Sequence, residues 1–275
     1  MTGEGWGEGE DTRDSCVPVS RQQPEGNPQW VIHRSKSVTS TNDVAIQMAE
    51  EGAPEGTAVI ASEQTAGRGR HGRGWSSPAG TGLYLSVILR PDLPFDQLWR
   101  MAFLTSVSVA EAIAQVSGLP ARVKWPNDVL LGERKVCGIL AEAKQPGASS
   151  QQPVIILGIG INVNNQEFPP EIAQTATSIA LELGCPTKVE HVETAVLAAL
   201  DARYRQYLVE GFAPILEAWK GLDCTVGKHV VVNAAERVIE GTAVEIGMDG
   251  DLVVRHEDGT RIRVTAGEVI LAGTV

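Results

Sequence analysis

The stretch AGRGRHGRGW, residues 66–75, sets Arg68, Arg70 and Arg73 among glycines in a chain whose formal net charge is −11. Guanidinium forks match the oxygens of phosphate and carboxylate, and glycine lets backbone come close to a ligand. Taken alone, the decapeptide fits three uses: a solvated basic loop, an Arg–Gly tract for single-stranded nucleic acid, or a loop that closes over a small anionic substrate. Further along, ARVKWPND brackets a turn between Lys124 and Asp128. Pro126 fixes φ there, and Asn127 and Asp128 are turn formers, so the segment is either a strand corner or part of a site. ERKVCGIL brings Lys135 into an apolar strand, where its ammonium either snorkels to water or meets an anion in a cleft. Gly138 would let a ligand approach that strand closely. LGIGINVNN offers Gly158 and Gly160 in the same way, with Asn162 as an amide for a phosphate oxygen or a metal-bound water. Its G-x-G is not followed by a helix and no Walker lysine pattern exists, which argues against a P-loop or dinucleotide site. The Arg–Gly loop, Lys135 and Asn162 together suit a polyanion held beside apolar strands. A carboxylic acid being activated by a nucleotide has that character.

The elements that must position these residues are readable from pattern. VIHRSKSV is extended, and STNDVAIQMAEEG (40–52) is a helix capped by Ser40 or Thr41 and stopped by Gly52. TAVIASE (57–63) is a buried strand that runs directly into the Arg–Gly loop. GLYLSVILR (82–90) is a strand with Leu83, Leu85, Val87 and Leu89 on one face. FDQLWRMAFLTSVSVAEAIAQVSG (95–118) has helical spacing and ends at Gly118. ARVKW and PVIILGIGINVN are strands, VLLGERKVCGILAEAK is a hairpin turned at Gly132–Glu133, and QPGASSQQP is a surface loop. A long helix spans 192–211 and a short one lies near Pro214–Lys220. From Thr225 onward, short strands alternate with Gly and Asp-Gly turns, the texture of a small β-barrel appended to an α+β domain.

Composition narrows the classes. The 275 residues suffice for a large domain and a small one, and 43% are hydrophobic. The acidic balance argues against broad binding to nucleic acid or to an anionic membrane. Cys16, Cys137, Cys185 and Cys224 make no C-x-x-C pair, so neither a zinc site nor a disulfide framework is indicated. No apolar run of about 18 residues predicts a membrane span, and a reduced, cytoplasmic setting is expected. Residues 1–28, rich in Gly, Glu, Ser, Gln and Pro, read as a disordered tail.

TSTND (39–43), QTAGRGRHGRGW (64–75), KWPND (124–128), RKVCGILAE (134–142) and GIGINVN (158–164), in this order, resemble the biotin protein ligase family. GEVIL (267–271) resembles part of that family's small SH3-like C-terminal domain. The resemblance covers roughly residues 30–270, and Cys137 departs from the Ala that many members carry. It implies an α+β fold in which a mixed-sheet catalytic domain (29–222) is followed by an SH3-like β-barrel (223–275). It also implies joining of biotin to AMP and passage of the biotinoyl group to one lysine of the biotin carboxyl carrier domain of an acyl-CoA carboxylase. No helix-turn-helix is recognisable before residue 30, so a monofunctional ligase without specific DNA binding is implied.

By the same resemblance, Ser40, Thr41, Asn42 and Gln64 bind biotin, whose neutral urea suits neutral partners. Arg68 orders the loop near the biotin tail, and Gly138 and Gly158 line the slot. Lys135 and Arg70 bind the biotin carboxylate and the α-phosphate. Trp75 packs over the adenylate, and Lys124, Asn127 and Asn162 serve ATP, with Mg²⁺ held mainly by the phosphates near Asn162. Asp128 is either the base for the incoming amine or a structural member of its turn. The nearest rival is a lipoate ligase-like acyltransferase. A nucleic-acid module using the Arg–Gly tract is a more distant one, opposed by the acidic charge and the lack of aromatics between the arginines.

Overall fold

A computed structural model describes residues 30–144, 153–234 and 237–271. The expected tail at 1–28 and nearly all of the QPGASSQQP loop lie outside these. Seven strands form the main sheet: β1 (Val31–Val38), β2 (Thr57–Gln64), β3 (Gly82–Leu89), β4 (Ala121–Lys124), β5 (Asp128–Leu131), β6 (Arg134–Lys144) and β7 (Val154–Asn162). Their spatial order is β1-β2-β3-β7-β6-β5-β4. The pair β1·β2 is parallel and every other neighbour is antiparallel, so the sheet is mixed, as expected.

Helix α1 (Thr41–Glu50) makes the crossover from β1 to β2 and packs on one face of the sheet. Helices α2 (Arg100–Ser117), α4 (Val189–Glu210) and α5 (Ala213–Leu222) cover the other face. Gly52 and Gly118 end α1 and α2 with φ of 94° and 71°, the left-handed conformation that costs glycine least. Helix α2 starts later than its periodicity suggests, because Phe95–Gln97 form a separate 3₁₀ turn after Pro94. Helix α4 begins three residues earlier, at Val189. The short α3 (Ile179–Leu183), capped by Ser178 Oγ, was not anticipated. It is too short to show a period.

Strand β3 lies inside the sheet, between β2 and β7. All eight of its residues are buried, not one face only. Tyr84, Ser86 and Ile88 point toward the α1 side, where Ile88 packs with Ala45, Val59 and Ile156. Being central and covered on both faces, β3 loses the polar alternation that would mark an outer face.

The remaining strands, β8 (His229–Ala234), β9 (Arg237–Ile246), β10 (Leu252–Arg255), β11 (Arg261–Val264) and β12 (Glu268–Leu271), form a separate antiparallel sheet in the order β11-β10-β9-β8-β12. Its seam with the main sheet is specific. Trp125, fully buried, donates its indole N–H to the Gly250 carbonyl, and its backbone N–H goes to Thr225 Oγ1. Cys137 and Cys224 are free thiols. Cys185 is disulfide-bonded, which the cysteine spacing had not indicated. Among the described residues no helix is long and apolar enough to cross a membrane.

Candidate active site

Strand register explains how the site is floored. Directly opposed residues of antiparallel neighbours share a face. Lys124 pairs with Asp128, Asp128 with Gly138, Gly138 with Gly160, and Gly160 with Tyr84. The next row along the strands is Leu140, Gly158 and Ser86. Three glycines in two adjacent rows leave a trough in a sheet face that would otherwise be filled. A Cβ on Gly160 would lie 2.5 Å from Trp75 Nε1, one on Gly138 2.9 Å from the same indole, and one on Gly158 2.2 Å from Asn42 Oδ1. The trough therefore receives Trp75 from the loop and Asn42 from α1. Above and beside them remains a cavity of about 360 Å³, lined from α1, the loop, β4–β7 and β12.

The Arg–Gly loop is a small hairpin. Trp75 N–H donates to Gly67 O, Gly69 N–H to Arg73 O, and Arg73 N–H to Arg70 O. At its tip His71 and Gly72 both have positive φ, 55° and 74°. Two ionic staples hold it. Arg68 forks onto Glu142 and pairs with Asp43 at 2.7 Å, and Arg73 pairs with Glu268 of β12. Arg70, between them, donates to Asn127 Oδ1 at 2.9 Å and lines the cavity. Burial pulls its guanidinium below its ordinary value, partly offset by Asp128 and Glu268, and a guanidinium stays cationic near neutral pH.

Lys135 reaches this face because of a β-bulge. Asp128 pairs with Gly138 and Val129 with Cys137, but Leu130 pairs with Lys135, so Val136 is an extra residue. Strict alternation would have sent Lys135 to the opposite face; the bulge returns it beside Asp128. Its ammonium lies 2.6 Å from Asp128 Oδ1 and 5.5 Å from the centre of the Trp75 ring. Lys124 reaches Asp128 Oδ2 at 3.3 Å and the Val269 carbonyl at 3.2 Å, tying the turn to the second sheet. Burial alone would raise the Asp128 carboxyl, but the ammonium groups of Lys135 and Lys124 outweigh it and hold the group below its usual range.

The polar end of the cavity is built on α1. Ser40 is the N-cap residue but makes no capping bond with its side chain. Gln64 Oε1 accepts from the Thr41 N–H at 2.8 Å, and Gln64 Nε2 donates to Ser77 Oγ. Ser86 Oγ lies 2.6 Å from Asn42 Oδ1 and 2.8 Å from Thr41 Oγ1. Asn42 Nδ2 donates to Glu142 Oε2 at 2.7 Å.

All fourteen residues anticipated from sequence line this one cavity: Ser40, Thr41, Asn42, Gln64, Arg68, Arg70, Trp75, Lys124, Asn127, Asp128, Lys135, Gly138, Gly158 and Asn162. Three have protein partners that the reading did not name. Lys124 is a strut between the sheets, Trp75 fills the glycine trough, and Asn162 donates its amide to the Thr177 carbonyl. Ser86, Glu142 and Glu268 were missed. Ser86 lies in a strand read for its leucines, and the two glutamates, although they fall within RKVCGILAE and GEVIL, were given no role. Among the described residues no cluster of three or more His, Cys, Asp or Glu is placed to hold a metal. Asp128, with a lysine on each oxygen, is no vacant ligand, so a protein-held Mg²⁺ does not fit this donor set.

Residues 34–162 match the Biotin/lipoate A/B protein ligase family, and 225–272 match the Biotin protein ligase C terminal domain. The biotin–[acetyl-CoA-carboxylase] ligase of Mycobacterium tuberculosis is 34% identical over 239 residues, covering 84% of this chain and 85% of its own length. The chain belongs to the biotin protein ligase family. Solved structures agree. The biotin protein ligase from Aquifex aeolicus in complex with biotin and ATP superposes with a TM-score of 0.75 at 32% identity, over 87% of this chain and 97% of that one. The Leishmania major ligase in complex with biotinyl-5-AMP gives 0.59 at 27% identity, over 86% and 98%. This ligase thus combines the family's mixed sheet with its C-terminal sheet, and the cavity lies where the two meet.

Proposed function

We propose that this ligase forms biotinoyl-5′-AMP from biotin and ATP and then transfers biotin to a lysine of a biotin carboxyl carrier domain. The observation that carries the reading is the cavity's two ends: neutral hydrogen-bonding groups of α1 and Gln64 at one, the cations Arg70 and Lys135 at the other. A bicyclic urea with an apolar body and a carboxylate tail has the same polarity.

In the first step a biotin carboxylate oxygen attacks the α-phosphorus of ATP and pyrophosphate leaves. Both partners are anionic, so Arg70 and Lys135 act by neutralising the charge that accumulates between them. In the second step a lysine amine attacks the acyl carbon and AMP leaves. Asp128, held deprotonated by two ammonium groups, is a weak base, and its role here is to aim Lys135. The stapled loop excludes water from the mixed anhydride until the amine arrives. Mg²⁺ enters on the ATP phosphates as part of that substrate. The division into a catalytic domain (29–222) and a C-terminal domain (223–275), and a cytoplasmic setting where ATP and the carrier are available, belong to the same proposal.

The test is incubation with biotin, ATP and Mg²⁺ without carrier, followed by mass spectrometry of the denatured protein. Retained biotinoyl-AMP is the expected result, and addition of a carrier domain should consume it with labelling of one lysine. Formation of lipoyl-AMP instead, in a parallel incubation with lipoate, would reassign the substrate.

A further inference from the structure

The backbone of Lys135 is held from the side that strand β7 has left. The ladder between β6 and β7 ends where Cys137 pairs with Ile161. Past that point the segment 175–177 comes alongside as a short parallel bridge, Lys135 with Ala176. The Lys135 N–H donates to Thr175 O at 2.7 Å, and the Thr177 N–H donates to Lys135 O at 2.9 Å. We infer that Glu182 of α3 is a positioning residue for adenylate formation, because its carboxylate ties the two sides of this bridge together and so fixes where Lys135 stands. The inference rests on the proposal that Lys135 neutralises charge in the first half-reaction.

Glu182 Oε1 accepts from Arg134 Nη2 at 2.7 Å and from Thr177 Oγ1 at 2.6 Å. Arg134 immediately precedes Lys135 in β6, and Thr177 holds the Lys135 carbonyl. One oxygen therefore grips the chain on both sides of the bridge. Thr177 is fully buried, and its own carbonyl accepts the Asn162 amide at 3.0 Å, so the clamp reaches a second residue of the cavity. Arg134, Thr177 and Glu182 all stand outside the cavity lining; they act on a ligand only through Lys135 and Asn162.

The clamp answers a need that the bulge creates. A bulged strand is left partly unpaired and bends, and here the bulge at Val136 lies next to the residue whose reach matters. Lys135 carries its charge on a flexible four-carbon stem, so only its root can be fixed by the fold. The other end of the clamp is fixed by α3. Ser178, also fully buried, accepts the Leu181 N–H as the helix cap and donates its hydroxyl to the Asn165 carbonyl at 2.7 Å. Glu182 sits one turn further on, its N–H bonded to the Ser178 carbonyl.

The experiment measures biotin-dependent exchange of pyrophosphate into ATP by the full chain, with Glu182→Ala alone and added to Lys135→Ala. In the parent, Glu182→Ala should slow adenylate formation about tenfold, since a misplacement of about 1 Å at a reacting group is enough for such a loss. In the Lys135→Ala background the same substitution should change the residual rate by less than about twofold, because the group it positions is gone. Glu182→Gln keeps an acceptor oxygen and should recover part of the parent rate. An unchanged rate in Glu182→Ala would overturn the clamp. So would an equal fall in both backgrounds, which is what general loosening of the fold produces. If the unaltered chain makes no biotinoyl-AMP, it is the reading of the cavity that fails, and amide hydrogen exchange decides the clamp without substrate. Glu182→Ala should speed exchange at Lys135 and Thr177 by at least about tenfold while the amides of β3 keep their parent rates; unchanged exchange at those two positions would overturn it. Thr177→Val removes the hydroxyl and keeps the branched shape, and it carries both comparisons should Glu182→Ala not fold.

Discussion

Asp128→Asn is the sharpest perturbation the site offers. The carboxylate sits between two ammonium groups, at 2.6 Å from Lys135 and 3.3 Å from Lys124, with its side chain only 14% exposed. Removing one partner of a buried ion pair costs roughly 3–5 kcal/mol, because the other charge is left uncompensated. Here Lys135 is 33% exposed and water screens it in part, and Asn retains an acceptor oxygen. The expected loss is therefore about 2 kcal/mol, or roughly 4–8 °C in Tm for a chain of this size. The pH dependence has a fixed sign. A carboxyl held below its ordinary value contributes fully above the unfolded-state value, near 4, and loses that contribution as pH falls through the lower folded-state value. Parent and variant should differ by the full amount at pH 7 and converge as pH falls through the lowered folded-state value of Asp128. Urea unfolding at a series of pH values measures this directly. Lys124→Met added to Asp128→Asn should restore part of the loss, since one of the two facing cations is then gone. A single variant within about 0.5 kcal/mol of the parent at pH 7, or a gap that persists unchanged at low pH, would refute the account of the triad.

Two further outcomes are expected. Gly160→Ala places a Cβ 2.5 Å from Trp75 Nε1, so the indole must leave the trough; the variant should fold but show a large change in Trp fluorescence and at least about a tenfold loss of adenylate formation. Lys135→Ala should slow adenylate formation about a hundredfold, whereas Arg70→Ala, which also loses the Asn127 contact that draws the loop tip inward, should leak biotinoyl-AMP and label a bystander protein. Normal rates and no stray labelling by Arg70→Ala would remove the loop's gatekeeping role.

Much of this site was legible as short motifs because each motif meets a constraint local in sequence. The Arg–Gly loop is one hairpin, KWPND is one turn, and Gly138 and Gly158 leave room that only missing side chains can leave. What stayed hidden depends on register and on distant partners. The face to which Lys135 points is decided by a bulge at Val136, and no alternation rule reveals an extra residue in advance. Ser86 carries no signal of its own in the sequence, because its meaning depends on both faces of β3 being buried. Glu142 and Glu268 take their meaning from Arg68 and Arg73, 74 and 195 residues away along the chain. The protein neighbours of Trp75 and Lys124, the glycine trough and the Val269 carbonyl, stayed hidden too, since sequence shows that a residue is near a site sooner than it shows what the residue touches there.

Strand β12 bears on the order in which the molecule becomes competent. It supplies Glu268 to the loop and the Val269 carbonyl to Lys124, yet it follows every other described element in chain order. A nascent chain can assemble the whole main sheet and still lack the clasp on its loop and the strut on its central lysine. Docking of the second sheet therefore sets the loop and the central lysine together, so the two sheets must meet before the site is complete.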